Sequence, residues 1–167
     1  MKLNLMMTAA LLLAASALAH ASEIQGGASV DFLGAGTKFI VKKSFTVPTR
    51  AVLHELPAVE TQCLGGESGA VSCKVRCTLV MNGDNAVPLR FASEKSLTLK
   101  RVRWYYGSLA IALETDDKTV KEIQCTKSID EATLEGLNWE DRMFKIKEVQ
   151  DALHDSFRIL PVTPDEA

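Results

Sequence analysis

A run of basic and aromatic residues near the middle of the chain has the side chains best suited to binding a ligand. It contains Lys100, Arg101, Arg103, Trp104 and Tyr106. Cationic groups attract anions, and aromatic rings stack on flat or sugar-like ligands, so together these residues could bind a polyanion or a sugar chain. We therefore treat this run as a candidate binding surface.

The same run also fits an ordinary β-strand, with Lys100 in solvent and Trp104 or Tyr105 in the core. Strict alternation would place one set of side chains on the first face: Leu97, Leu99, Arg101, Arg103 and Tyr105. The second face would carry Thr98, Lys100, Val102, Trp104 and Tyr106. Because neither face is uniformly apolar or basic, the sequence leaves open which of these side chains reach solvent.

The four cysteines are expected to form two structural disulfides, as an even set does in an oxidising compartment. They are Cys63, Cys73, Cys77 and Cys125. The alternation of residues 72–81 predicts a strand in which Cys73 and Cys77 lie about 13 Å apart, beyond the ~7 Å that a disulfide allows between Cα atoms. Of the other pairings, we prefer Cys63 with Cys73, across a glycine-containing loop, and Cys77 with Cys125, between strands.

Other residues that carry chemistry in enzymes lack the neighbours that this chemistry needs. Ser68 comes close to a G-x-S-x-G motif, but Ala70 replaces the last glycine and a strand follows. His54 and His154 have no suitably spaced partners for a metal ion. The Gly34–Lys38 segment lacks the full spacing of a phosphate-binding loop. The sequence therefore predicts no catalytic residue, no metal and no cofactor.

The first 21 residues have the pattern of a secretory signal peptide. An Ala- and Leu-rich stretch from Leu5 to Leu18 ends in a cleavage motif, Ala19-His20-Ala21. This stretch is too short for a membrane-spanning helix, which needs about 20 apolar residues. The predicted product is a soluble periplasmic or secreted chain that begins at Ser22 and contains no membrane span.

The remaining 146 residues fit a single domain, predicted over residues 22–161, followed by a mobile tail at 162–167. After removal of Lys2 with the signal, 18 basic side chains face 21 acidic ones. This slightly negative balance favours neither nucleic acid nor an anionic membrane as a partner.

Most of the elements that would position these residues are predicted strands. About seven strand-like runs occupy the chain up to residue 127, with turn signals such as Asn82-Gly83 between them. A helix is predicted over Trp139–Phe157, because apolar residues recur there at spacings of three and four. The predicted fold is α+β: a mainly antiparallel β-sheet or sandwich, stapled by disulfides, with a C-terminal amphipathic helix.

An export signal and a disulfide-braced sheet without a catalytic motif favour a non-catalytic binding or interaction module of the bacterial periplasm. Its partner would be a protein or another envelope component. Two alternatives stay open. One is a secreted enzyme inhibitor that uses the 64–72 loop, pre-ordered by a disulfide. The other is a small cell-envelope hydrolase whose site assembles only in three dimensions.

Overall fold

A computed structural model of the chain describes residues 28–64, 69–105 and 109–162. The predicted signal peptide, Ser68, Tyr106 and residues 163–167 lie outside these ranges. After a 3₁₀-helix at Val30–Phe32, the described residues form ten strands and three short helices. The strands are β1 (Lys38–Val41), β2 (Phe45–Val47), β3 (Leu53–Glu55), β4 (Val59–Leu64), β5 (Ala70–Met81), β6 (Leu89–Phe91), β7 (Ser96–Tyr105), β8 (Ala110–Thr115), β9 (Val120–Ser128) and β10 (Phe157–Leu160). The helices are α1 (Glu131–Gly136), α2 (Trp139–Arg142) and α3 (Ile146–Leu153).

Eight of the described strands form one antiparallel sheet shaped like half a barrel. The strand order is β10-β1-β7-β8-β9-β5-β3. β4 pairs with the first half of β5, on the same edge where β3 pairs with its second half. β2 and β6 form a separate two-stranded ladder. The mainly antiparallel β-sheet predicted from the sequence is therefore confirmed.

The inner face of the sheet carries the core, and β5 shows this alternation most clearly. Its inward side chains are all buried: Cys73, Val75, Cys77, Leu79 and Met81. Lys74 and Arg76, between them, are exposed. Because successive side chains of a strand point to opposite faces, this one stretch divides the sheet into an apolar inner face and a polar outer face.

Both disulfides are formed, and they have the pairing that the spacing of the cysteines favours. Cys63 of β4 is bonded to Cys73 of β5, with their Cα atoms 5.8 Å apart. Cys77 of β5 is bonded to Cys125, its direct partner on β9, with the Cα atoms 4.1 Å apart. All four cysteines are buried, so the two bonds brace the middle of the sheet from its inner side.

The continuous C-terminal helix predicted over Trp139–Phe157 is not formed. α2 ends at Arg142, α3 begins at Ile146, and the chain continues into strand β10. The cause is a tertiary contact between the break and residues 28–30. The backbone N–H of Ile146 donates to Ala28 O (2.9 Å), and Phe144 O accepts from Val30 N–H (3.0 Å), so groups that a continuous helix would use are already engaged.

Helix α3 lies between the edge strands β4 and β10 on the open side of the half-barrel. Thr61 of β4 donates a hydrogen bond to the Asp151 carboxylate (2.7 Å), and Lys42 Nζ donates to the carbonyl of His154 at the end of the helix (2.7 Å). The inward side chains of the helix are buried in the core: Ile146, Val149, Ala152 and Leu153. No helix in the described part of the chain is long and apolar enough to cross a membrane.

A buried ion pair connects α3 to the inner face of the sheet. Lys127 Nζ of β9 lies 3.0 Å from Glu148 Oε2 of α3, and both side chains are almost completely buried. The ammonium group also donates to Met143 O (3.1 Å), while the same carboxylate oxygen accepts the backbone N–H of Lys145 (3.1 Å). Burial lowers the pKa of Lys127 below its usual value, against the opposing effect of Glu148.

Candidate binding surface

A bulge in β7 decides which residues of the basic and aromatic run reach solvent. Leu99 is opposite Thr115 and Arg101 is opposite Glu114, so Lys100 is an extra residue in the ladder with β8. The extra residue reverses the phase of the alternation. Leu97 and Leu99 before the bulge are buried, and so are the inward parts of two residues after it, Val102 and Trp104, which pack against the core.

Arg101 and Arg103 consequently lie on the outer face, where two carboxylates hold them. The guanidinium of Arg101 donates twice to Glu114, from Nε (2.5 Å) and Nη2 (3.2 Å). Arg103 Nη2 donates to Glu122 (2.7 Å), and its Nε forms an ion pair with Glu114 at 2.6 Å. The four side chains make a continuous ladder across β7, β8 and β9.

The carboxylates lie beneath the arginines. The side chains of Glu114 and Glu122 are only 11% and 6% exposed, whereas that of Arg101 is 61% exposed. The hydrogen bond from Arg101 lowers the pKa of Glu114; burial opposes this shift, and the charges of Arg103, Arg101 and Lys100 add to it. Because the carboxylates are buried and negatively charged, they hold the two guanidinium groups above them on the outer side of the sheet.

The aromatic residues of the run do not share one surface. Tyr105 is on the outer face beside Arg103, whose Cζ lies 5.4 Å from the centre of the ring. Trp104 is on the inner face, where its Nε1–H donates to Asp31 (2.6 Å). The prediction that Trp104 joins the basic residues in a binding surface therefore lacks geometric support, and Tyr106 lies outside the described residues.

Two further cations of the outer face lie on β5 and are far from the run in sequence. In the register of the sheet, Arg76 is opposite Thr126 and Lys74 is opposite Ser128 on β9. Both are exposed, and neither side chain forms a hydrogen bond or ion pair with other described residues. The alternation of residues 72–81 predicted that Lys74 and Arg76 lie on the polar side of their strand. It could not show that β7 belongs to the same sheet and carries Arg101 and Arg103 on the same face.

We define the cationic face as Lys74, Arg76, Lys100, Arg101, Arg103 and Tyr105. These side chains carry five positive charges, and Glu114, Glu122 and the exposed Glu60, which lies directly opposite Lys74 on β4, bring the formal charge of this area to +2, although the whole chain carries −2. Lys74, Arg76, Lys100 and Arg101 are exposed, whereas Arg103 and Tyr105 are half-buried. The face is thus an open, positively charged area on a slightly acidic protein.

The histidines occupy structural positions. His54 stacks on Phe45 with 5.3 Å between ring centres, and Phe45 stacks on Phe91 at 4.9 Å. Burial lowers the pKa of His54, which favours its neutral form within this column of rings. His154 is exposed at the end of α3 beside Asp155 (3.4 Å). Within the described ranges, no group of three or more His, Cys, Asp or Glu side chains could hold a metal ion.

Two shallow cavities, of about 400 and about 360 Å³, lie on either side of α3 and share Asp151. This carboxylate accepts hydrogen bonds from Thr61 and Lys147. Burial raises its pKa, but the bonds from Lys147 and Thr61 outweigh that effect and leave the pKa below its usual value. Asp151 therefore accepts one hydrogen bond from Thr61 and two from Lys147, and the bond from Thr61 ties the helix to β4.

No protein-family model matches this chain, and neither a curated protein nor a solved structure gives a significant match.

Proposed function

We propose that this protein is an exported, non-catalytic binding module of the bacterial periplasm and that it binds its partner through the cationic face. The observation that carries this proposal is the ladder in which buried Glu114 and Glu122 hold Arg101 and Arg103 at the surface. Guanidinium groups that are ordered before binding lose less conformational entropy when a partner arrives.

The energetics of ion pairs also favour a binding role for this ladder. Exposed ion pairs contribute about 0–1 kcal/mol to stability, and buried carboxylates lose much of the Coulomb attraction to desolvation. A pair of apolar residues across β7 and β8 would stabilise a sheet at least as well. The ladder does, however, orient two cations on an uncovered face, which is useful to a protein that recognises a partner.

The two disulfides support export, because such bonds persist in oxidising compartments such as the periplasm. They also stiffen β9, which carries Glu122 of the ladder, and β5, the strand beside it. A stiff sheet keeps the spacing of its outer side chains constant. The compartment and the binding role thus agree with each other.

The proposal can be tested by affinity capture from bacterial envelope extract with the full chain, expressed under oxidising conditions. The face variant combines Lys74→Gln, Arg76→Gln and Arg101→Gln, and the control is Lys43→Gln, which removes an exposed cation from the loop after β1. A partner retained by the wild type and the control but lost by the face variant is the expected result. Equal capture by all three proteins would overturn the assignment of the face.

The stapled β4–β5 hairpin supports a second candidate function, inhibition of an enzyme. The strands pair as far as Leu64 opposite Ala70, and the Cys63–Cys73 bond joins them just before that point. Most of the 64–72 loop that would enter the target lies outside the described residues. Replacement of Gly65 and Gly69 by proline should abolish inhibition of a captured enzyme, whereas under the main proposal capture is unchanged.

A further inference from the structure

The hydrogen-bonding capacity of the cationic face is only partly used within the protein. A guanidinium has five N–H donors, and Arg101 uses two of them for Glu114. Lys74 and Arg76 use none on other described residues. These unused donors and the positive charge of the face point to an anionic ligand, since charge-assisted hydrogen bonds to carboxylates or phosphates are the strongest that such groups make.

The spacing of the cations adds a second restriction. Arg101 and Arg103 are two residues apart on the regular part of β7, which corresponds to about 6.6–6.8 Å along the strand. Lys74 and Arg76 have the same separation on β5. An extended polypeptide presents alternate side chains at this same interval. The period of the face therefore matches that of an acidic peptide in an extended conformation.

We propose that the ligand of the cationic face is an extended acidic segment of a partner protein, with Asp or Glu at alternate positions. Two of its carboxylates would bind Arg101 and Arg103. Arg76 is three strands away and in line with Tyr105, and Lys74 lies two residues further along, so these two cations would add an attraction that is felt mainly at low salt. This inference rests on the proposed function, and it specifies the chemical class of the partner.

The inference can be tested with two end-blocked peptides of identical composition. Thr-Glu-Thr-Glu-Thr-Glu-Thr places its carboxylates at alternate positions, and Glu-Thr-Thr-Glu-Thr-Thr-Glu places them three residues apart. Binding of each to the full oxidised chain is measured by fluorescence anisotropy at low and physiological salt. We expect the alternating peptide to bind about fivefold more tightly, the difference that one additional surface ion pair can give.

A pair of matched variants separates binding from structural support. Arg101→Gln and Glu114→Gln both break the same ion pair, but only the first removes a donor to the ligand. We expect Arg101→Gln to weaken binding of the alternating peptide about fivefold and Glu114→Gln to weaken it by less than about twofold, because the second variant loses only the pre-ordering of the arginines and keeps both cations. Unfolding curves for both variants would show whether either effect comes from loss of the fold. Equal weakening by both would assign the ladder a structural role and overturn the inference.

The remaining outcomes also decide the matter. Equal affinity for the two peptides would mean that only their charge is recognised, which contradicts the spacing argument. Tighter binding of dextran sulfate than of either peptide would overturn the inference and indicate that the ligand is a sulfated polysaccharide. If no peptide binds but the face variant still loses its captured partner, the inference fails and the proposed function survives. If capture also shows no difference, both fail.

Discussion

The sheet carries ion pairs on both of its faces, and the two sets have different environments. On the inner face, Lys127 and Glu148 are almost completely buried, and Lys127 has a pKa lowered by that burial. On the outer face, Arg101 is mostly exposed above a largely buried Glu114, whose pKa is lowered by the arginine. Dehydration has the largest effect on the pKa of Lys127 in the inner pair. In the outer pair, the hydrogen bond from Arg101 has the largest effect on the pKa of Glu114.

This difference indicates two uses for the same chemistry. The inner pair joins β9 to α3, and its Glu148 carboxylate also accepts the backbone N–H of Lys145 at the start of the helix. The hydrogen-bond partners of this pair therefore all lie within the protein. In the outer ladder the carboxylates are internal, but Arg101 is mostly exposed and uses only two of its five N–H donors on Glu114. The buried pair joins two elements inside the core, whereas the half-buried ladder presents charge at the surface.

The largest loss of stability should come from a deletion in β7 that puts a charged side chain on the inner face of the sheet. Deletion of Val102 can restore pairing with β8 only if Arg101 takes the inward position, and an unpaired buried cation costs several kcal/mol, comparable to the stability of a domain. Deletion of Lys100 should leave the fold intact, because the residues on either side of it already face opposite ways. Circular dichroism and thermal unfolding would distinguish them. A folded Val102 deletion would contradict the assignment of the bulge.

Breaking the inner pair should cost about 3–5 kcal/mol of unfolding free energy. Lys127→Met leaves Glu148 buried without its counter-charge, and Glu148 Oε1 already accepts no hydrogen bond from the described residues. The double variant Lys127→Met/Glu148→Leu should recover most of the loss, because neither charge then remains. Urea unfolding of the single and double variants measures the coupling. Additive losses would show that the pair is not coupled.

Breaking the outer ladder at Arg103 should have a smaller effect, about 1–2 kcal/mol. Arg103→Gln removes the hydrogen bond from Nη2 to Glu122, whose side chain is 6% exposed, and the ion pair from Nε to Glu114. Solvent reaches the arginine and moderates the cost. Arg76→Gln, on the same face but unpaired, should change stability by less than about 0.5 kcal/mol. Equal losses in the two variants, measured by urea unfolding, would argue against a ladder.

The smallest expected effect is a difference in acid stability. Because Arg101 lowers the pKa of Glu114 in the folded state, this carboxylate contributes stability above its unfolded pKa, about 4.3, and the contribution is lost as the pH falls through the lowered folded pKa. Arg101→Gln should therefore lose less stability than the wild type between about pH 6 and pH 3. Parallel curves of urea midpoint against pH would show that Arg101 does not set this pKa.

Several parts of the molecule followed from local patterns. The alternation of residues 72–81 predicted both the inward cysteines of β5 and the polar side that carries Lys74 and Arg76. The exclusion of a Cys73–Cys77 bond required only the rise per residue of a strand. The basic run also placed Arg101 and Arg103 in one strand. Each of these inferences depends on geometry that the backbone repeats every two residues.

Other parts could not be predicted from any local pattern. Lys100 has no feature that identifies it as the extra residue of a bulge, so the faces of β7 stayed ambiguous and Trp104 was grouped with the arginines. The spacing of apolar residues from Met143 to Phe157 continued through a break that the structure places at residues 143–145. That break depends on hydrogen bonds to residues more than a hundred positions earlier.

The amino-acid sequence by itself determined the period of the strands, the disulfide pairing it favoured and the presence of a basic cluster, because these depend on neighbours along the chain. Only the tertiary structure decided which side of β7 meets solvent, where the last helix begins and which cations share one face. These features depend on contacts between segments distant in sequence. In such contacts a single extra residue or a single backbone hydrogen bond outweighs local preference.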